Sequence, residues 1–140
     1  MQFLEFETLT RPASPNTFLL APEGLCQNAE PDRAPPAFGE SAKDLFAILS
    51  RIVRDDGSFR QIDEDRESLR LRFVAVTSFL RFKDDVDVQV IPANDSGSIK
   101  SPGSTLAVYS RSRVGYSDLG ANEKRVGMLL NRLASATHPA

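Results

Sequence analysis

The sequence predicts an α+β fold. Its expected form is a two-layer sandwich in which an antiparallel β-meander of about four strands carries an N-terminal and a C-terminal helix, preceded by an extended Pro-rich strap. Three observations predict this. Six of the nine prolines lie before residue 40, interleaved with recurring Phe and Leu. Apolar residues repeat at helical spacing in two places, around Leu45–Val53 and Val126–Leu133. Between those places, apolar and polar residues alternate with the period of two that belongs to strands.

The strap comes first. Pro12, Pro15, Pro22, Pro31, Pro35 and Pro36 remove backbone donors and push their predecessors toward extended conformations, so no long helix fits between Arg11 and Phe38. Phe3, Phe6, Leu9, Phe18, Leu19, Leu20, Leu25 and Phe38 are more apolar anchors than a disordered tail carries. The segment 1–39 therefore reads as a strap pinned across the domain, with Phe18-Leu19-Leu20 able to add a short strand; a tail that docks only on a partner is the other reading.

The domain proper is expected over 40–135, with a frayed tail at 136–140 that contains the single histidine, His138. Its first helix is predicted over Glu40–Asp56, capped by Ser41 with Asp44 three residues on, and ended by Gly57 in a left-handed conformation. Strands are expected at Ser58–Asp63, from Leu69 to Val76, from Asp85 to Ile91 and from Thr105 to Val114. Glu64-Asp65-Arg66-Glu67 is the expected turn, and 93–103 a loop. A closing helix from Ala121 to Ser135 buries Val126, Leu129, Leu130 and Leu133, with Arg125 and Arg132 off that stripe.

Composition limits the function classes. With 17 basic and 19 acidic residues, the net charge of -2 supplies no general attraction to nucleic acid or to an anionic membrane. One Cys and one His cannot assemble a zinc site of the usual ligand types, and no cofactor is expected. Cys26 has no base beside it in sequence, which weighs against a catalytic thiol. No apolar run approaches the roughly 20 residues that span a bilayer, and the N-terminus lacks the features of a secretory signal, so the chain as given reads as soluble.

Three motifs carry a resemblance. Pro15-Asn16 with Leu19-Leu20-Ala21-Pro22, then Ser78-Phe79-Leu80-Arg81-Phe82 with Asp84-Asp85-Val86-Asp87-Val88, then Ser110-Arg111-Ser112-Arg113-Val114-Gly115-Tyr116-Ser117-Asp118-Leu119-Gly120 with Asn122 and Arg125, resemble the signatures of domain of unknown function family 1499. That family is uncharacterised and occurs in bacteria and plastids. The resemblance implies no reaction. It implies that many relatives are tethered by an N-terminal membrane segment or lipoprotein-like leader, which this chain does not display. The compartment is left open between bacterial envelope and plastid.

The last of these motifs is the candidate site. Alternation puts Arg111 and Arg113 on one sheet face, and Asp85 and Asp87 together on one face of the neighbouring strand. Paired across strands, they would form fork-to-carboxylate ion pairs. Asp118 suits the exposed N–H groups of the last helix, Asn122 could make a second cap, and Gly115 and Gly120 permit turns. Arg111, Arg113, Asp118 and Asn122 can also be read as a ligand site for a phosphate or carboxylate beside that helix start. Phe73, Phe79, Phe82, Tyr109 and Tyr116 form either core or the lining of an apolar cavity. Arg70 and Arg72 read as the exposed side of a strand.

The functional expectation is a non-enzymatic accessory or scaffold domain associated with a membrane or a membrane protein complex. A binding protein for a small amphipathic, lipid-like or anionic ligand is the alternative. A hydrolase or isomerase using Asp85 or Asp118 is third, since neither carboxylate has an evident nucleophile, metal or histidine to work with.

Overall fold

The computed structural model describes residues 3–13, 16–77, 81–93, 103–113 and 120–139. It contains a five-stranded antiparallel sheet and two helices, an α+β sandwich. In chain order these are β1 (Thr17–Leu20), α1 (Ala42–Asp55), β2 (Phe59–Asp65), β3 (Arg70–Val76), β4 (Lys83–Pro92), β5 (Ser104–Ser112) and α2 (Ala121–Ala136), with a 3-10 turn at Phe6–Thr8 ahead of them. The sheet order is β1-β5-β4-β3-β2. Thus β2 to β5 form the meander, and Phe18-Leu19-Leu20 adds a fifth strand on the open edge of β5.

Alternation decides what each face carries. Phe18 and Leu20, Leu71, Phe73 and Ala75, Val86, Val88 and Val90, and Leu106 and Val108 point to the helix side. There they meet Leu45, Phe46, Leu49 and Val53 of α1 and Val126, Leu129 and Leu133 of α2, all buried. Fully burying one such side chain contributes ~1.5–3 kcal/mol, so this layer dominates the stability. Phe59 and Phe73 add a tilted ring contact at 4.6 Å between centroids.

The opposite face is covered as well. Phe6, Leu9, Leu19 and Ala21 of the N-terminal segment form a second cluster with Ala107 and Tyr109. Arg70 is therefore not the open strand side expected of it. Glu5 bonds both its terminal nitrogens, at 3.1 and 3.0 Å. Ordering backbone costs ~1–2 kcal/mol per residue, so these four buried side chains alone do not hold a segment of this length. Further ties supply the rest: Arg11 bonds Asp32 (2.7 Å) and Thr17 (2.8 Å), and Asp32 N–H donates to Leu19 O (2.8 Å).

Several local expectations are corrected. Ser41 caps α1 by accepting from Asp44 N–H at 3.1 Å, but Gly57 is not left-handed. The helix ends instead through Asp56, whose carboxylate accepts from Ser58 N–H (2.8 Å) and Ser58 Oγ–H (2.6 Å) and takes Arg132 (2.7 Å). The charged turn shifts two residues later: Glu64 and Asp65 belong to β2, and Leu69 closes the turn at φ 61°. A bulge around Gln61 (φ 51°) changes the β2–β3 register and makes that shift possible. The tail is not frayed at His138. Gly39 N–H donates to His138 O at 2.8 Å, and Glu40 accepts from His138 N–H at 3.0 Å. Gly103 passes so close to Phe38 that a β-carbon would stand 2.7 Å from its carbonyl oxygen.

Candidate functional site

Asp85 lies directly opposite Arg111 in the β4–β5 register, and Asp87 opposite Tyr109. The ion pairs form two residues further along the chain from these β5 positions, on the same face. Arg113 grips Asp85 with both arms of its fork, Nε to Oδ2 at 3.0 Å and Nη2 to Oδ1 at 2.9 Å. Arg111 Nη1 stands 2.8 Å from Asp87 Oδ2 and donates to Tyr109 O at 3.3 Å, while its guanidinium lies 4.8 Å from the centre of the Tyr109 ring. Burial pushes the Asp85 carboxyl up, but the Arg113 hydrogen bonds and the charges of Arg113, Arg111 and Arg72 outweigh it and hold the group below its ordinary value.

Asp87 is the buried member of this ladder, its side chain only 3% exposed between Arg111 and Arg72 (3.9 Å). The short Arg111 contact is off the hydrogen-bonding direction, and among the described residues neither carboxylate oxygen finds a hydrogen-bond donor. Gln89 Oε1 and Arg70 Nε, opposite one another across β3 and β4, are likewise buried without one. The interaction at Asp87 is thus charge to charge, in a setting where screening by water is weak.

A second polar cluster lies on the helix side, where Asn122 is not a cap. Gly120 occupies the N-cap position of α2 at φ 81°, a conformation that suits glycine. Asn122 is fully buried and faces the sheet. Its Oδ1 accepts from Ser110 Oγ–H (2.6 Å) and Arg125 Nη1 (3.0 Å). Its Nδ2 donates to Asn16 O (2.9 Å) and Ser112 Oγ (3.0 Å). Those four bonds use the full capacity of the amide.

Arg125 completes the cluster by reaching Asp84 Oδ2 at 2.9 Å, its side chain only 10% exposed. Sequence reading placed Arg125 off the buried stripe and gave Asp84 no role. A signal was present: Asp84 is in phase with Val86, Val88 and Val90, and Ser110 and Ser112 are in phase with Leu106 and Val108. A charge in phase with an apolar stripe must be buried, and a buried charge needs a partner.

The two clusters join the segment before β1, the strands β4 and β5, and the start of α2. Their chemistry is that of a joint. Ser110 Oγ–H is committed to the amide oxygen of Asn122, which is not a proton acceptor of useful basicity. Asp118 and Gly115, expected to cap and turn here, lie outside the described residues, as do Phe79 and Tyr116. Of the other aromatic residues, Phe73 and Tyr109 occupy opposite faces of the sheet and Phe82 is exposed, so these three do not line one cavity. Burial and the charge of Glu7 raise the Cys26 thiol against the opposing effect of Arg11, away from thiolate reactivity. Among the described residues no cluster of three or more His, Cys, Asp or Glu is placed to hold a metal ion, and no helix is long and apolar enough to cross a membrane.

The family model described as "Protein of unknown function (DUF1499)" matches residues 8–133, and the chain belongs to that family. No curated protein matches it.

Proposed function

We propose, from the premise that this is a DUF1499 protein, that it is a non-enzymatic accessory domain of a membrane-associated assembly. One observation supports this reading best. Six charged side chains of the family's motifs pair with one another: Arg113 with Asp85, Arg111 with Asp87 and Arg125 with Asp84. Residues used in this way build a rigid element rather than a reaction centre. A catalytic Asp85 would need a pKa raised toward neutrality, and the pull on it is the opposite. A ligand acid held at Arg111 or Arg113 would first have to displace an internal carboxylate. The association with membranes rests on the tethered relatives.

Fractionation of the cells that make the protein tests this. The expected result is co-sedimentation with membranes and migration in a native gel, after mild detergent, as part of a larger particle. A monomer confined to the membrane-free fraction overturns it.

A further inference from the structure

Away from the family motifs, α1 and the β2–β3 turn enclose a cleft of about 450 Å³. That volume falls within the range of small-molecule sites. Lys43, Arg51, Arg54 and Arg66 line it together with a single acid, Asp55. The helix period explains the convergence. Lys43, Ala47 and Arg51 lie four residues apart along α1, and Phe46, Ser50 and Arg54 form the adjacent row. Phe46, Ala47 and Leu69 supply an apolar portion of the wall.

The wall already clamps one anion. Glu64 accepts from Ser50 Oγ–H at 2.7 Å and from Arg54 Nη2 at 2.6 Å through Oε1, and from Arg66 Nε at 2.8 Å through Oε2. These hydrogen bonds, the Ser50 one foremost, hold its carboxyl at about 2. Glu64 therefore stays charged and fixes both arginines in place. Counting Glu64 and Asp55 against the four cations leaves a surplus of two positive charges here, in a chain whose net charge is -2. Lys43 and Arg51 are exposed and have no ion pair among the described residues.

We infer that this cleft binds a small phosphate-bearing ligand with an apolar portion. The phosphate is held by Lys43 and Arg51 and by the outward N–H groups of Arg54 and Arg66, and the apolar part lies against Phe46, Ala47 and Leu69. A phosphate oxygen accepts several donors at once, and a dianion matches the surplus charge; arginine forks suit this geometry. The site is independent of the accessory role, which concerns the other end of the sheet.

Titration calorimetry in low salt tests the inference with two probes, dihexanoyl phosphatidic acid below its micelle concentration and inorganic phosphate. The wild-type chain is expected to bind at least one of them. The double variant Lys43→Glu/Arg51→Glu, whose side chains are exposed and whose melting temperature serves as the folding control, is expected to weaken that binding at least about tenfold. Tighter binding of the lipid than of phosphate supports the apolar contact with Phe46, Ala47 and Leu69, and equal binding of the two overturns it. Absence of heat with both probes, or equal affinity in a folded double variant, overturns the site. Neither result bears on co-sedimentation with membranes.

Discussion

Asp84 and Asp85 are neighbours in the chain and opposites in the fold. Asp84 turns to the helix side, is buried, and meets Arg125 inside a cluster completed by Asn122, Ser110, Ser112 and Asn16. Asp85 turns to the other face, where Arg113, 46% exposed, closes on it at the rim. Both pairs are carboxylate–guanidinium contacts at 2.9 Å. Distance is therefore a poor guide to what each contributes. Water and salt screen the Asp85 pair, whereas loss of Arg125 would strand a carboxylate in an interior that cannot solvate it.

Arg125→Met probes that contrast with the largest expected effect, a loss of ~3–5 kcal/mol in urea unfolding, because a buried charge loses its partner. Adding Asp84→Leu should restore part of it. A cost below ~1 kcal/mol for Arg125→Met would place both pairs in the same class and break the comparison. Asn122→Ala follows, at ~1–3 kcal/mol, since the Ser110 hydroxyl and the Asn16 carbonyl lose a buried partner.

Glu64→Gln is expected to cost ~1–2 kcal/mol at pH 7 by weakening the bonds to Arg54, Arg66 and Ser50. Its pH dependence has a definite sign. The folded pKa lies below the ordinary value of 4.5, so the stabilisation is fully present above about pH 4.5 and is lost as pH falls toward about 2. Stability measured across that window should fall less steeply in Glu64→Gln than in the wild type. Arg113→Ala is the smallest, at ~0–1 kcal/mol, and the cost should shrink further in high salt; an undiminished loss at 1 M salt would make this rim pair behave like the buried one.

Much of the scaffold was legible because periodicity is a local property. The apolar spacing of α1 and α2, the Val86–Val88–Val90 alternation and the Ser41 cap each depend on residues within a few positions of one another. The pairing of Arg111 and Arg113 with the β4 acids was legible too, because alternation limits which side chains share a face. Asn122 was misread as a cap because the residues that claim its side chain, Asn16 and Ser110, lie 106 and 12 positions away. Arg70 was misread as open because nothing in β3 says that Glu5 will cross over it. The cleft beside α1 was invisible for the same reason, since Arg66 reaches it only through the β2 bulge and the turn that follows.

By itself the sequence determined the two helices, the meander and the family, since side-chain period and local caps act over one or two turns of chain. Only the tertiary structure decided which face the N-terminal segment covers, which acid each arginine meets, and where cations gather without partners. Burial and Coulomb energy depend on distance in space, and those distances exist only once register and packing are set.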